Sequence, residues 1–175
     1  HMAPPFAVKG MGLAHKTEAQ AVCLNVATPD VASVVDEMPS ASVLIEEMVH
    51  DGIVEVLVGV TRDPAHGFLL TLGAGGVLTE VMVDTATLLV PSDADSVATA
   101  RQSLRIAPLL SGYRGKPGVN MAALIDAIMA VQAFVVARAD VLAEVEINPL
   151  ICTPTRAVAA DALIAVAQNP EDPTG

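Results

Sequence analysis

The sequence predicts a domain of the α/β or α+β class, with a mixed, largely antiparallel sheet and flanking helices. Three observations lead there. Short Val-, Ala- and Leu-rich runs, broken by Gly and Pro, read as buried strands. Several of these runs are separated only by turn residues, as hairpin strands are. Other stretches place apolar residues at helical spacing behind a capping residue. With 175 residues, 53% of them hydrophobic and 17% charged, the chain is long enough for one domain with a real core.

Taken in order, Phe6-Ala7-Val8 reads as a strand ending in Lys9, followed by a loop at Gly10-Met11-Gly12. Ala21 to Val26 is a second strand. Thr28 is expected to cap a helix that has Pro29 at its first position and runs to about Met38. Ser42 to Met48 and Ile53 to Val60 are expected to form a hairpin around His50-Asp51-Gly52. Phe68 to Leu72 is a strand, Gly73-Ala74-Gly75-Gly76 breaks the pattern, and Val77 to Val83 fits a helix or a strand. Thr87 to Val90 is a strand. Ser92 is expected to cap a helix from Asp93 to Arg105, with acidic residues in its first turn matching the helix dipole. Pro108 to Tyr113 suggests a short helix. Asn120 caps a long one to about Arg138, with Leu124, Ile128, Val131 and Val135 on one side. Val141 to Cys152 is a strand, Ala157 to Ala160 leads to Asp161, and Leu163 to Val166 closes the pattern.

Composition removes several classes of function. A formal charge of −11 disfavours a phosphate-backbone partner, and 2% aromatic content gives no base-stacking platform, so nucleic acid is not expected. No run reaches the ~18 apolar residues of a membrane helix, despite a mean hydropathy of +0.55. Cys23 and Cys152 lie in no zinc-binding pattern. They read as two reduced thiols of a cytoplasmic protein. No GxSxG elbow is present. His1-Met2 reads as an expression-tag remnant. The strand that follows at once suggests a piece of a longer protein, and residues 168–175 read as a polar tail.

The chemistry concentrates at Glu144-Val145-Glu146-Ile147-Asn148-Pro149-Leu150. On a strand, Glu144, Glu146 and Asn148 share one face. Such an oxygen row suits a hard cation like Mg²⁺ alongside substrate phosphates. On its own it is more simply an exposed polar face. The Gly73 to Gly76 loop suits close backbone approach to phosphate, or simply a tight turn. It lacks both the Walker ending and the dinucleotide spacing. Lys9 suits a phosphate contact as a point charge, although an exposed Lys is commoner. His15 beside Lys16 is biased toward neutral imidazole, a nucleophile or base; a loop His without a role is the plainer choice. Arg62 sits in a loop context where a guanidinium clamps an anion or forms a local salt bridge. Glu46, Glu47, Met48, Val49 and Glu55 bracket a connection whose backbone suits an adenine edge and whose carboxylates suit ribose hydroxyls.

Seven stretches in fixed order carry a resemblance. They are Pro5-Phe6-Ala7-Val8-Lys9, Ala14-His15-Lys16-Thr17-Glu18-Ala19, Val58-Gly59-Val60-Thr61-Arg62-Asp63-Pro64 and Gly73-Ala74-Gly75-Gly76-Val77-Leu78-Thr79-Glu80, then Leu109-Leu110-Ser111-Gly112-Tyr113-Arg114-Gly115, Glu146-Ile147-Asn148-Pro149-Leu150 and Ala160-Asp161-Ala162. Together they resemble the ATP-grasp domain of NDP-forming (ADP-forming) acyl-CoA synthetases, relatives of the succinyl-CoA synthetase β chain. The resemblance implies an ATP-grasp domain over residues 3–167, incomplete because it lacks the usual helical lead-in. It implies the reversible reaction acyl-CoA + ADP + phosphate to acid + CoA + ATP, in an acid–thiol ligase. Mg²⁺ and ATP or ADP are the implied cofactors. CoA-binding and CoA-ligase domains, in the same parent chain or a partner subunit, are the implied partners, along with a homo-oligomeric assembly.

By the same resemblance, Lys9 contacts phosphates, Glu47-Met48-Val49 holds adenine, and Glu55 lies near the ribose. Glu146, Asn148 and Asp161 hold Mg²⁺. His15 matches a phosphohistidine relay, and Arg62, Gly73, Gly75 and Gly76 are phosphate-side candidates. This chain departs from the family where His15 is followed by Lys16-Thr17-Glu18-Ala19-Gln20-Ala21-Val22 instead of the glycine-containing HKSDVGGV. Glu146 replaces a common Asp, and Leu163 a frequent Arg. A fragment of this kind is expected to be inactive for full turnover. A non-catalytic nucleotide-sensing or partner-docking module, and another ATP-grasp carboxylate ligase, are the alternatives.

Overall fold

The computed structural model describes residues 2–12, 16 and 19–167. The chain divides into two compact units, His1–His50 and Asp51–Gly175, so the domain expected over 3–167 comprises two bodies.

The first unit is a three-stranded antiparallel sheet with one helix. Its strands are β1 (Phe6–Gly10), β2 (Val22–Val26) and β3 (Val43–Glu47), in the order β2-β1-β3. As the middle strand, β1 is buried throughout. Phe6 and Val8 pack with Ala21, Val26 and Met38. A 3₁₀ turn at Thr28–Asp30 leads into α1 (Val31–Glu37). Thr28 does not cap it: the residue before the turn is Ala27, and no side chain accepts the first N–H groups.

The hairpin expected across His50-Asp51-Gly52 does not form. β3 pairs with β1. The next strand, β4 (Val54–Asp63), has both edges taken by β5 (Gly67–Ala74) and β7 (Leu142–Cys152). Its buried residues Val56, Val58 and Val60 decide this, because long-range pairing that buries an alternating apolar face outweighs a local turn signal.

The second unit is a six-stranded sheet in the order β6-β5-β4-β7-β8, with every pairing antiparallel. Here β6 is Thr85–Leu89 and β8 is Ala157–Ala159, while β9 (Ala162–Val166) also pairs with β7. Between β5 and β6 the ambiguous stretch forms a short helix, α2 (Leu78–Met82). Three further helices are α3 (Ala94–Gln102), α4 (Ala107–Ser111) and α5 (Met121–Ala137). The core joins Val56, Val58, Val60, Leu70 and Leu72 of the sheet to Leu124, Ile128, Val131 and Val135 of α5. Each such side chain stabilises the fold by roughly 1.5–3 kcal/mol when buried.

Asn120 caps α5, its side-chain oxygen accepting the Ala123 N–H at 3.0 Å. The cap of α3 is Asp93, which accepts the Ser96 N–H at 2.7 Å. Ser92, the expected cap, instead gives its N–H and hydroxyl to buried Gln132 Oε1, at 2.8 and 3.1 Å. Among the described residues no helix is long and apolar enough to cross a membrane.

Candidate nucleotide and metal site

The centre of the site is an irregularity in β7. Val56 of β4 faces Leu150, but Val58 faces Ile147. Three steps on β7 therefore oppose two on β4, and the extra residue falls at Asn148-Pro149. A central strand tolerates Pro only at such a bulge, and bulges re-aim side chains. On the other edge of β7 the partner chain is broken too. β8 ends at Ala159 and β9 begins at Ala162. The residues at the break are held across it: Ala160 N–H donates to the Pro149 carbonyl at 3.0 Å, and Asn148 N–H donates to the Asp161 carbonyl at 3.2 Å.

This double break brings Glu146, Asn148 and the Asp161 backbone, the three residues expected to hold a metal, to neighbouring positions on β7 and its edge. Glu146 and Asn148 touch through an Asn148 Nδ2 to Glu146 Oε1 contact of 3.4 Å. Asp161 is held opposite Asn148, and its Oδ1 accepts the Ala162 N–H at 2.9 Å. All three are half-buried. Among the described residues no three His, Cys, Asp or Glu side chains form a metal cluster. The expected set is two carboxylates and one amide oxygen. That donor set fits Mg²⁺, which uses one or two carboxylates, keeps several waters and completes its shell with substrate phosphates. The Asn148 oxygen accepts the Gly76 N–H at 2.8 Å, and the Thr79 hydroxyl lies 3.5 Å from it.

The glycine loop joins this cluster by another route than expected. Gly75 N–H donates to the Glu55 carbonyl at 2.9 Å. Gly76 N–H is held by Asn148. Neither points at an open phosphate position, which corrects the expectation of a phosphate-cradling loop. The glycines are needed for close approach. A Cβ on Gly75 would lie 2.6 Å from the Val56 carbonyl carbon, and one on Gly73 would lie 2.7 Å from the Asp84 carbonyl. Gly76 has φ +60°, and a Cβ there would overlap the Glu55 carboxylate. Glu55, the expected ribose residue, thus stands against Gly76 in the same cluster.

The remaining expected residues divide. Lys9, in β1, is buried at 8% exposure, and its ammonium pairs with Glu46. Glu47 accepts the Ala3 N–H. Met48 N–H donates to the Pro5 carbonyl at 3.2 Å, so that group is not the adenine donor expected. Val49 follows β3 and is half-buried. Arg62 is not brought to the cluster around Asn148. Its Nη2 donates to the Ala139 carbonyl at 2.6 Å and its guanidinium lies over Phe68 at 5.2 Å. Glu55 is seven residues back on β4, roughly 23 Å along a strand. His15 lies outside the described residues.

Two contributors were not singled out by sequence. Thr79 Oγ1 lies 3.1 Å from the Ala74 carbonyl and 3.5 Å from Asn148 Oδ1. Its three-residue spacing from Gly76 is the only signal for it. Asp84 is buried, and its carboxylate accepts the Arg105 and Ile106 N–H groups at 2.9 and 3.2 Å. Its carbonyl accepts the Ala74 N–H at 3.2 Å. No local pattern announces it.

A family model described as an ATP-grasp domain matches residues 2–166. The chain belongs to the ATP-grasp domain family. A trans-feruloyl-CoA synthase from an unknown prokaryotic organism is 34% identical over 168 residues, 88% of this chain and 24% of that protein. The beta subunit of acetate–CoA ligase [ADP-forming] II from Pyrococcus furiosus is 29% identical, over 83% of this chain and 67% of that one. The ATP-grasp chain thus spans about a quarter of the first relative and two thirds of the second. Its relatives are acid–CoA ligases in which it covers the ATP-grasp part. The acetyl-coenzyme A synthetase 1 of Ca. Korarchaeum cryptofilum, solved with coenzyme A and Mg-AMPPCP, superposes with a TM-score of 0.81 and 25% identity, over 94% of this chain and 78% of that one.

Proposed function

We propose that this chain is the nucleotide-binding, phosphoryl-transfer domain of an ADP-forming acyl-CoA synthetase, which converts acyl-CoA, ADP and phosphate reversibly to acid, CoA and ATP. The observation that carries the reading is the convergence of Glu146, Asn148 and Asp161 at the paired break of β7 and the β8–β9 segment. Phosphoryl transfer needs positioning and charge neutralisation more than covalent work by the protein. Glu146, Asn148 and Asp161 are the residues that would hold Mg²⁺, which neutralises phosphate charge when bound. Lys9 is a phosphate contact, Glu55 a ribose contact, and Glu47, Met48 and Val49 an adenine-side segment. Gly73, Gly75 and Gly76 act as positioning residues: they let the loop close on β4, and Gly76 fixes the Asn148 amide. Arg62 serves the structure beside Phe68 and Ala139.

A cytoplasmic location and partner CoA-binding and CoA-ligase domains complete the reading. The partner domains rest on relatives that are subunits or larger chains, and the location on two free thiols. His15 is assigned a phosphohistidine relay. The related synthetase solved with Mg-AMPPCP is described with its phosphohistidine segment pointing towards the nucleotide site, which supports such a relay. The test is His15→Ala in the parent enzyme. Lost phosphoryl transfer with Mg-ATP binding retained supports it. The changed residues after His15 favour a second reading, a nucleotide-sensing module without chemistry. Transfer that is absent from the wild type while Mg-ATP still binds would establish that reading instead.

A further inference from the structure

A chain of formal charge −11 has nine Lys and Arg residues, and four of the nine fall in one acid-free stretch. Between Asp95 and Asp126 there is no Asp or Glu, yet Arg101, Arg105, Arg114 and Lys116 all lie there. The stretch contains the last turn of α3, all of α4 and the loop before α5. Part of it encloses an open hollow of about 460 Å³, with Arg101, Gln102, Arg105 and Ser111 as its polar wall and Leu104 and Pro108 among its apolar residues. That volume is of ligand size.

The fold holds the two arginines there. Leu104, Ile106 and Leu110 are buried in the core. The backbone at Arg105 and Ile106 is tied to the buried Asp84 carboxylate at 2.9 and 3.2 Å. Arg105 itself is exposed between these anchors. Among the described residues no carboxylate pairs with Arg101 or Arg105. Arg101 Nε is buried and has no hydrogen-bond partner among the described residues. An Arg in the last turn of α3 complements the helix dipole. That explains neither its unpaired buried donor nor the second guanidinium beside it. A buried charged donor without an acceptor is costly, and an anion bound by the outer guanidinium nitrogens of Arg101 offsets part of that charge burial.

We infer that the Arg101–Arg105 hollow binds a phosphate group. Two guanidinium groups and a hydroxyl match a dianion with several acceptor oxygens better than a single carboxylate. The phosphate has two possible sources, inorganic phosphate or the terminal phosphate ester of a larger ligand such as CoA. The hollow shares no lining residue with Glu146, Asn148 or Asp161, and phosphate binding there does not depend on the nucleotide reading.

The experiment is titration of the 175-residue chain at low salt with inorganic phosphate, CoA and dephospho-CoA, followed by NMR. The variants are Arg105→Gln, Arg101→Gln/Arg105→Gln and, as a charge control, Arg156→Gln. Saturable binding is expected, weakened about tenfold or more by Arg105→Gln and abolished in the double variant, with Arg156→Gln unchanged. Saturation by inorganic phosphate identifies the free ion as the source. Saturation by CoA but not dephospho-CoA identifies the ester. Arg105 is exposed, so that variant is a test even if changes at Arg101 disturb folding. Absence of saturation by both phosphate and CoA, or wild-type affinity in Arg105→Gln, overturns the inference.

Discussion

At Asn148 one amide oxygen accepts the Gly76 N–H, while the amide nitrogen reaches Glu146. Removing that oxygen strands a half-buried backbone donor. Asn148→Ala is therefore expected to lower stability by about 1–3 kcal/mol, read from urea unfolding, before any effect on ligand. The glycines allow a sharper contrast. Gly75→Ala pushes a methyl into the β4 backbone and should cost about 1–3 kcal/mol. Gly59→Ala meets open space and should be neutral or stabilise by about 0.4–1 kcal/mol. Equal unfolding midpoints for the two would contradict the packing described for the loop. Burial pushes the Cys152 thiol up to about 12, so at pH 8 it should resist alkylation in the folded protein and react on unfolding, as mass spectrometry would show.

Among the elements, α5 was legible because one signal confirmed another: an Asn cap and four apolar residues at helical spacing, all of them buried. Asn120→Ala should cost about 1 kcal/mol of unfolding free energy. The cap of α3 was misread by one residue, since Ser92 has a distant partner in Gln132 that the sequence does not display. Hydrogen bonding to Ser96 lowers the Asp93 carboxyl from its ordinary 3.8. A folded-state value below the unfolded one contributes stability that is present above the ordinary value and lost as pH falls through the lowered one. Acidification below 3.8 should therefore lower the hydrogen-exchange protection factor of the Ser96 amide, the unprotected rate at the same pH divided by its own, before those of the other α3 amides. The β7 stretch was readable as an oxygen-bearing strand. Its bulge was not, because a bulge is defined by the partner strand's register and no local spacing encodes it. The same holds for the glycine loop: its composition announced close approach, but the acceptors of its N–H groups lie on Glu55 and Asn148.

For the whole molecule, the class and the largely antiparallel sheet with flanking helices followed from apolar runs and caps, whereas the division at His50–Asp51 did not. There a turn signal stood where two separately paired strands meet in sequence. The chain spans only part of its acid–CoA ligase relatives. Mixed with CoA, a carboxylic acid and Mg-ATP, it should form no acyl-CoA, as chromatography of the reaction would show. The proposed Mg-nucleotide binding should persist without the remaining parts. The most direct measurement is calorimetric titration of Mg-ATP into the 175-residue chain and into Asn148→Ala/Asp161→Ala, each confirmed folded by circular dichroism. Saturable Mg²⁺-dependent heat in the wild type, weakened at least about tenfold in the variant, is expected from the loss of two oxygen ligands. Unchanged Mg-ATP affinity in a folded variant would contradict a metal–nucleotide site on β7.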